Sequence, residues 1–347
     1  MIRTIQWATG AMGRSALRRI IDHPGLMLAG VFVYTAAKHG IDAGTIARRP
    51  ATGVLATADR AEILAAAADV VIHTPRITLP YVALAEDVEA LLRSGKNVIS
   101  TAGFHWPAAQ GETYAERLQA AALAGGVTLA GVGVNPGLVV ERIVLAACAL
   151  CAEIDTISVA ETVDASQMAS AAFVFELMGL GSDPATRDIR RGPLAKLYTA
   201  LFSEVFHFVA HALGTNVTEV IPDHKLTIAP RDILMPAGRI PAGTVAATEW
   251  RWLVSFDNGT RFELAVLWTA DPSLHSAERR GHWDIRISGR PDVHLTLDIS
   301  EADPTAPPSR ALTDATIAVV INAIPAVIAA PPGLFAFNPP GLWSGSA

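Results

Sequence analysis

Cysteine is nearly missing: two thiols in 347 residues cannot staple an extracellular scaffold of this size. A reducing compartment is therefore the expected setting. Charge is sparse too, with 17% Asp, Glu, Lys and Arg, and 27 basic against 33 acidic side chains leave a net charge of -6. That balance argues against a dedicated nucleic-acid surface and leaves room for a local basic pocket. Long apolar runs are lacking as well. The longest, Ile143–Ala152, is half of what a bilayer requires, and the stretch 311–330 carries Asp314, Asn322 and Pro325. No apolar h-region separates Met1 from the first glycine turn, so no signal peptide is expected. What is present is a 51% apolar chain of mean hydropathy +0.34, long enough for two domains. It is expected to be soluble and cytoplasmic.

The first third alternates β-branched or apolar runs (Thr4–Trp7, Leu28–Tyr34, Val70–Thr74, Asn97–Thr101, Val127–Val132) with segments of helical composition (Gly13–Asp22, Ala58–Ala68, Leu79–Ser94, Glu112–Ala124). Such alternation predicts an α/β fold, a Rossmann doubly wound parallel sheet whose strands are apolar because helices cover both faces. After Pro136 the pattern changes. A helix is expected over Leu138–Cys151, a strand over Thr156–Val163, then mostly helix to Leu213. Strands Val245–Phe256, Arg261–Trp268, Gly281–Ser288 and Val293–Ser300 follow, the first two joined at Asp257-Asn258-Gly259 in hairpin fashion. They predict a second, α+β domain with a mainly antiparallel sheet. The Pro-rich segment Asp303–Pro308 breaks the chain, and Ala311–Ala330 reads as a helix interrupted at Pro325 that returns to the first domain. The expected boundaries are 1–136 with 310–347 for the dinucleotide-binding domain and 137–309 for the substrate and dimerisation domain.

The turn Trp7-Ala8-Thr9-Gly10-Ala11-Met12-Gly13 follows the first strand and opens the first helix. It fits the dinucleotide-binding pattern with Ala8 in place of the first glycine. Gly10 would let backbone approach a pyrophosphate, Gly13 would let helix and strand pack closely, and the helix-start N–H groups would face the phosphates. Thr9, Gly10, Ala11, Met12 and Gly13 are thus candidate cofactor contacts. After the second strand, Tyr34-Thr35-Ala36-Ala37-Lys38-His39 offers no carboxylate for a ribose 2′-hydroxyl. It has a hydroxyl (Thr35) and a cation (Lys38), which favours NADP, with NAD as the other possibility. Ligands of such sheets lie outside the carboxyl ends of the strands. That adds Thr74 and Pro75, Thr101 and Ala102, and Asn135, whose amide suits a carboxamide or a substrate heteroatom or else closes an Asx turn before Pro136.

Taken with Gly30-Val31-Phe32-Val33-Tyr34, Gly133-Val134-Asn135-Pro136-Gly137, Asn322-Ala323-Ile324-Pro325 and Ala330-Pro331-Pro332-Gly333, the first turn resembles the 2,4-diaminopentanoate dehydrogenase group. That group includes the native amine dehydrogenases and is often labelled dihydrodipicolinate-reductase-like. The resemblance spans nearly the whole chain. It implies a Rossmann domain closed by the C-terminal helix, a central α/β domain that forms a homodimer, and NAD(P)-linked reductive amination of a ketone or its reverse. Two departures matter. The paired-histidine motif and Asp-Ala-Pro-Ser-Gly-Thr run of true dihydrodipicolinate reductases are absent. So is the glutamate that the amine dehydrogenases place just after the fifth strand; its position falls near Gly103 or Phe104 in Thr101-Ala102-Gly103-Phe104-His105-Trp106-Pro107.

Hydride transfer to a C=O or C=N carbon leaves negative charge on the heteroatom, so a proton donor is needed. His105 is the nearest titratable group in the expected loop, although packing of the loop would also explain it. Glu161 and Asp164, on the first strand of the second domain, are three apart, so at most one can face a cleft. Phe173–Met178 and Leu197–Phe208 could line an apolar pocket or simply be core. His207 and His211 at i, i+4 lack the rest of a metal motif, and Cys148 and Cys151 lie in an apolar helix, so no metal site is expected. The sequence therefore points to an oxidoreductase for a small or medium apolar carbonyl, imine or amine substrate. A ketone/alcohol enzyme with no ammonia step and a non-catalytic NADP-binding regulator are the alternatives.

Overall fold

The computed structural model describes residues 1–275, 282–303, 305–307 and 309–339. The chain divides into two compact units, Met1–Val139 with Thr313–Phe337, and Val140–Leu312 with the described part of Asn338–Ala347. In the first, β1 (Ile2–Trp7), α1 (Ala11–Asp22), β2 (Leu26–Phe32), α2 (Ala43–Ala47), β3 (Ala56–Thr57) and α3 (Arg60–Ala65) lead to β4 (Val70–His73). Then come α4 (Ala85–Arg93), β5 (Asn97–Ser100), α5 (Glu112–Gly125) and β6 (Thr128–Gly131). With a short strand at Gly333–Phe335, the parallel sheet runs in the order Gly333–Phe335, β6, β5, β4, β1, β2, β3. The order reverses between β1 and β4, and the carboxyl ends of those strands make the switch point where an open α/β sheet takes its ligand.

Both faces of this sheet are covered, which is why its strands read as continuous apolar runs. Val71, Val98 and Leu129 pack with Val88, Leu91 and Leu92 of α4 and Leu118, Ala121 and Ala122 of α5. On the other face Val70, Ile72, Ile99 and Ala130 meet Ala16 and Ile20 of α1 and Ile317, Val320, Ile321, Ile324 and Val327 of the C-terminal helix. That helix, Ser309–Ala329, runs through Pro325 instead of stopping there as its sequence suggests. A mid-helix proline costs about 3 kcal/mol. Burying an aliphatic side chain gains about 1.5–3 kcal/mol, and Ile324 and Val327 on either side are 1% and 0% exposed, so packing holds the last turn in place. Among the described residues this is the one helix long and apolar enough to cross a membrane.

The second unit contains α6 (Leu145–Cys148), β7 (Glu153–Asp164), α7 (Pro193–Ala212), β8 (Val217–Pro222), β9 (Lys225–Ile228), β10 (Ile233–Met235) and β11 (Gly238–Ile240). It continues with β12 (Val245–Phe256), β13 (Arg261–Thr269), β14 (Trp283–Arg290) and β15 (Val293–Leu297). The sheet order is β15-β14-β7-β13-β12-β8, with β9 also on β12; β7 and β13 are parallel and the other pairs antiparallel. Aromatic rings seat α7 on one face, Phe202 and Phe206 against Trp252 and Tyr198 against Trp250. The run Leu197–Phe208 is therefore core.

Three local expectations change. The stretch to Leu213 holds two helices, a short one at Ala172–Leu177 and α7 from Pro193, and Gly179 and Gly181 at φ of +77° and +74° turn the chain out of the first. Strands β8 to β11 are short, and exposed residues outnumber buried ones in them, so they carry no clear two-residue period to read. The strand expected from Gly281 is described from Trp283; Gly281, like residues 340–347 of the expected first domain and Pro304 and Pro308 of the Pro-rich segment, lies outside the described residues.

Candidate cofactor site at the carboxyl ends of the first sheet

The chain leaves β1 at Trp7, and Ala8 takes φ of +73°, the left-handed region that favours glycine. The missing first glycine of the motif is thus a strained alanine in the conformation glycine would adopt freely. Gly10 caps α1 without any side-chain hydrogen bond, and no acidic residue sits in the first helical turn. The helix-start N–H groups are left to an anion from outside. A Cβ on Gly10 would meet nothing within 4 Å, so the approach is open. A Cβ on Gly13 would stand 2.8 Å from Thr74 Oγ1 and 2.9 Å from the Ala8 carbonyl carbon, and closer still to the Ala8 oxygen. One glycine keeps space clear and the other lets the helix seat. Ala11 is exposed and Met12 half-buried against the core of the C-terminal helix.

Beneath the turn is an amide that the sequence reading overlooked. Gln6 Nε2 donates to the Ala8 carbonyl (2.8 Å) and to Thr74 Oγ1 (2.7 Å), and Thr74 Oγ1 donates to the Trp7 carbonyl at 3.2 Å. The Thr74 hydroxyl is turned inward and spent on the turn, which leaves backbone for any ligand contact there. The signal was available: Gln6 is an amide between Ile5 and Trp7 near the end of β1, and it is 0% exposed.

At the end of β2, Tyr34 is 55% exposed. Its Oη accepts from Trp7 Nε1 at 2.9 Å and donates to Asp87 at 3.2 Å, and Asp87 also meets Arg60 at 3.3 Å. Thr35 is exposed and starts the short turn Ala36–Lys38. Lys38 reaches back across the site, donating from Nζ to the Thr9 carbonyl (2.8 Å) and Thr9 Oγ1 (3.0 Å). Burial, with Arg14 nearby, lowers its pKa. The ammonium thus stands on the glycine turn, with Arg14 of α1 as a second cation that the sequence reading did not select. His39 turns away to accept from the Ala58 N–H at 3.1 Å.

The loops after β5 and β6 come together. Gly131 N donates to the Phe104 carbonyl at 3.1 Å and Val132 N to the Ser100 carbonyl at 2.8 Å. His105 is 3% exposed, its Cε1 3.4 Å from where a Gly137 Cβ would be. Asn135 is extended, at φ of −150°, on the same loop. Ser100 Oγ accepts from Ala102 N (3.1 Å) and shares a 2.9 Å hydrogen bond with His73 Nδ1. Pro75 and Ala102 are buried and Thr101 half-buried. Gly103 and Phe104 have φ of +103° and +70°. Phe104 is 3% exposed and packed in the core, so a glutamate there would be an ion among apolar side chains.

The first unit thus gathers Thr9–Gly13, Tyr34, Thr35, Lys38, Thr74, Pro75, Thr101, Ala102, His105 and Asn135 at one edge of its sheet. Glu161 belongs to the second unit, 7% exposed, where its Oε2 accepts from Trp283 Nε1 at 3.2 Å. Asp164 is exposed and caps its own turn at Ser166 N. Both cysteines are free thiols: burial pushes Cys148 up to about 12, and Cys151 donates to the Pro291 carbonyl. His207 Nδ1 bonds the Ser203 carbonyl within its helix, and among the described residues no cluster suits a metal ion.

Comparison with known proteins shows the family. A family model described as the 2,4-diaminopentanoate dehydrogenase C-terminal domain matches residues 138–339, and one described as the dihydrodipicolinate reductase N-terminus matches residues 4–123. An amine dehydrogenase of Streptomyces virginiae is 28% identical over 96% of this chain and 95% of its own. A 2,4-diaminopentanoate dehydrogenase of Acetoanaerobium sticklandii is 25% identical over 72% of this chain and 67% of its own. The solved amine dehydrogenase from Mycobacterium smegmatis has the same fold, with a TM-score of 0.77 at 20% identity over 96% of this chain and 94% of that one.

Proposed function

The chain belongs to the 2,4-diaminopentanoate dehydrogenase C-terminal domain family and is an oxidoreductase with a Rossmann-type domain; on that premise we propose that it moves hydride between NADP(H) and a small to medium apolar carbonyl, imine or amine. The observation that carries the reading is the turn Trp7–Gly13 at the β1/β4 switch point, open above Gly10 and closed beneath Gly13. The α1 N–H groups and Gly10 would hold the pyrophosphate. Ala102 and Asn135 would flank the nicotinamide, which when bound exchanges hydride at its C4. His105 is the titratable group of the first unit that we assign to the substrate side. The first unit is then the nucleotide domain, and the second the substrate and dimerisation domain.

Lys38 favours the 2′-phosphate form. No carboxylate follows Phe32 to repel it, and the nearby Asp87 is already matched by Arg60. Calorimetry should find NADPH binding tighter than NADH. Lys38→Ala should weaken NADPH at least tenfold while changing NADH less than threefold. Equal losses for both would remove the 2′-phosphate assignment, and no binding of any pyridine nucleotide at millimolar concentration would remove the cofactor reading itself.

We also propose a homodimer, formed on the sheet face of the second unit opposite α7. Leu253 and its cross-strand partner Ile221 are 36% and 45% exposed there, next to Glu263, which faces Leu253 on β13 and pairs with Arg251. Sedimentation should give a dimer mass that Leu253→Arg reduces to a monomer; an unchanged mass would rule out that face. Two free thiols fit a cytoplasmic setting.

A further inference from the structure

We propose that the Tyr81 phenol takes the place of the missing carboxylate after β5, protonating the substrate heteroatom, and that the natural substrate is therefore a ketone or aldehyde, or the corresponding alcohol, reduced without ammonia. The inference rests on the cofactor reading above and deepens it.

Tyr81 begins the short helical turn Tyr81–Leu84 that follows the loop from β4, and it is 8% exposed. A Cβ on Gly103 would stand 2.8 Å from Tyr81 Cζ and closer still to Oη. The hydroxyl fills the volume that any side chain at 103 would need. Gly103 also has φ of +103°, where an L residue is strained regardless of space. The chain has therefore not simply lost a carboxylate; a different proton-bearing group from the neighbouring loop stands in the same place, beside the switch point. At the next position Phe104 is core, its ring centroid 6.4 Å from that of His73.

The exchange changes the chemistry. A carboxylic acid, with an ordinary pKa near 4, is ionised at neutral pH and suits holding ammonium and taking its proton. A phenol, ordinarily near 10, keeps its proton at neutral pH and suits giving it to an oxygen that becomes strongly basic as the carbon is reduced. In the step assigned here the Tyr81 O–H bond breaks and an O–H bond forms on the substrate oxygen as hydride from the reduced pyridine nucleotide reaches the carbonyl carbon. C=O becomes CH–OH, and the phenolate regains its proton from water.

Two measurements test this without relying on turnover alone. In thermal unfolding, Gly103→Ala should lower Tm markedly in the native background and by less than half as much in the Tyr81→Ala background; equal losses in both would remove the phenol from that volume. Tyr81→Phe, which keeps the ring, should bind NADPH within threefold of the parent by calorimetry. It should also reduce a panel of apolar ketones about a hundredfold more slowly at saturating cofactor, with parent rates unchanged by added ammonium. NADPH binding with ketone turnover retained in Tyr81→Phe, or a parent that turns over only with ammonium, overturns the inference and leaves the cofactor reading intact. Failure of the parent to bind NADPH would remove the reading on which it rests.

Discussion

Gly13→Ala is expected to lower the melting temperature by roughly 4–10 °C and to abolish measurable nucleotide binding, whereas Gly10→Ala should leave the melting temperature within about 2 °C and weaken NADPH about a hundredfold. The two glycines are three residues apart and differ in what lies beyond their missing side chains. At Gly13 the obstacles are the Ala8 carbonyl and Thr74 Oγ1. The first is backbone and the second is fixed by Gln6 and the Trp7 carbonyl, so neither can yield like the end of a flexible side chain. Overpacking of this kind costs about 1–3 kcal/mol, and it would lift α1 away from β1, scattering the N–H groups that must converge on an anion. At Gly10 there is nothing to strike, so folding is indifferent. A methyl group there would occupy only the space a pyrophosphate is to fill, and a hundredfold loss corresponds to about 2.7 kcal/mol. Thermal unfolding and calorimetry on the two variants separate the roles. Equal melting temperatures for both, or unweakened binding by Gly10→Ala, would mean that the turn is structural only.

That pair shows what was legible in the sequence and what was not. The glycine spacing, the strand before it and the helix after it could be read directly, because period and composition report local structure. The strand–helix alternation of the first unit was legible for the same reason. The strain at Ala8 was not, since an alanine carries no mark of its φ. Nor was the grip of Gln6 and Thr74 beneath the turn, which joins residues 68 apart in sequence. Lys38 was chosen for its charge, but only the fold shows its ammonium on Thr9 with Arg14 alongside. The loop after β5 marks the limit most clearly. The sequence shows that a glutamate is missing there, whereas the phenol in its place comes from the loop after β4 and could be found only once both strands were side by side.

His73 should make the protein lose stability on mild acidification. Its imidazole is 0% exposed at the end of β4, and burial holds its pKa down to about 3, against about 6.5 in an unfolded chain. Between those values the unfolded state binds a proton that the native state refuses. The native state's advantage is therefore fully present above about pH 6.5 and falls by about 1.4 kcal/mol for each unit below it. From pH 7.5 to 5.0 the loss from this one side chain is about 2 kcal/mol. Paired carboxylates such as Asp69 and Asp22, whose pKa values are lowered, would add losses only at lower pH. His224, pushed down to about 4, acts in the same direction but is only partly buried. Urea unfolding at the two pH values should show that difference in the parent, and His73→Leu should reduce it by about 2 kcal/mol while leaving the His224 contribution. An identical pH dependence in parent and variant would mean that the ring is solvated or protonated in the native state. A neutral His73 also has a consequence for the site. Through its 2.9 Å bond to Ser100 Oγ, which in turn holds Ala102 N, it positions the loop carrying Gly103 without placing a charge under it. Burial thus keeps the imidazole uncharged at neutral pH, so it adds no cation to that loop.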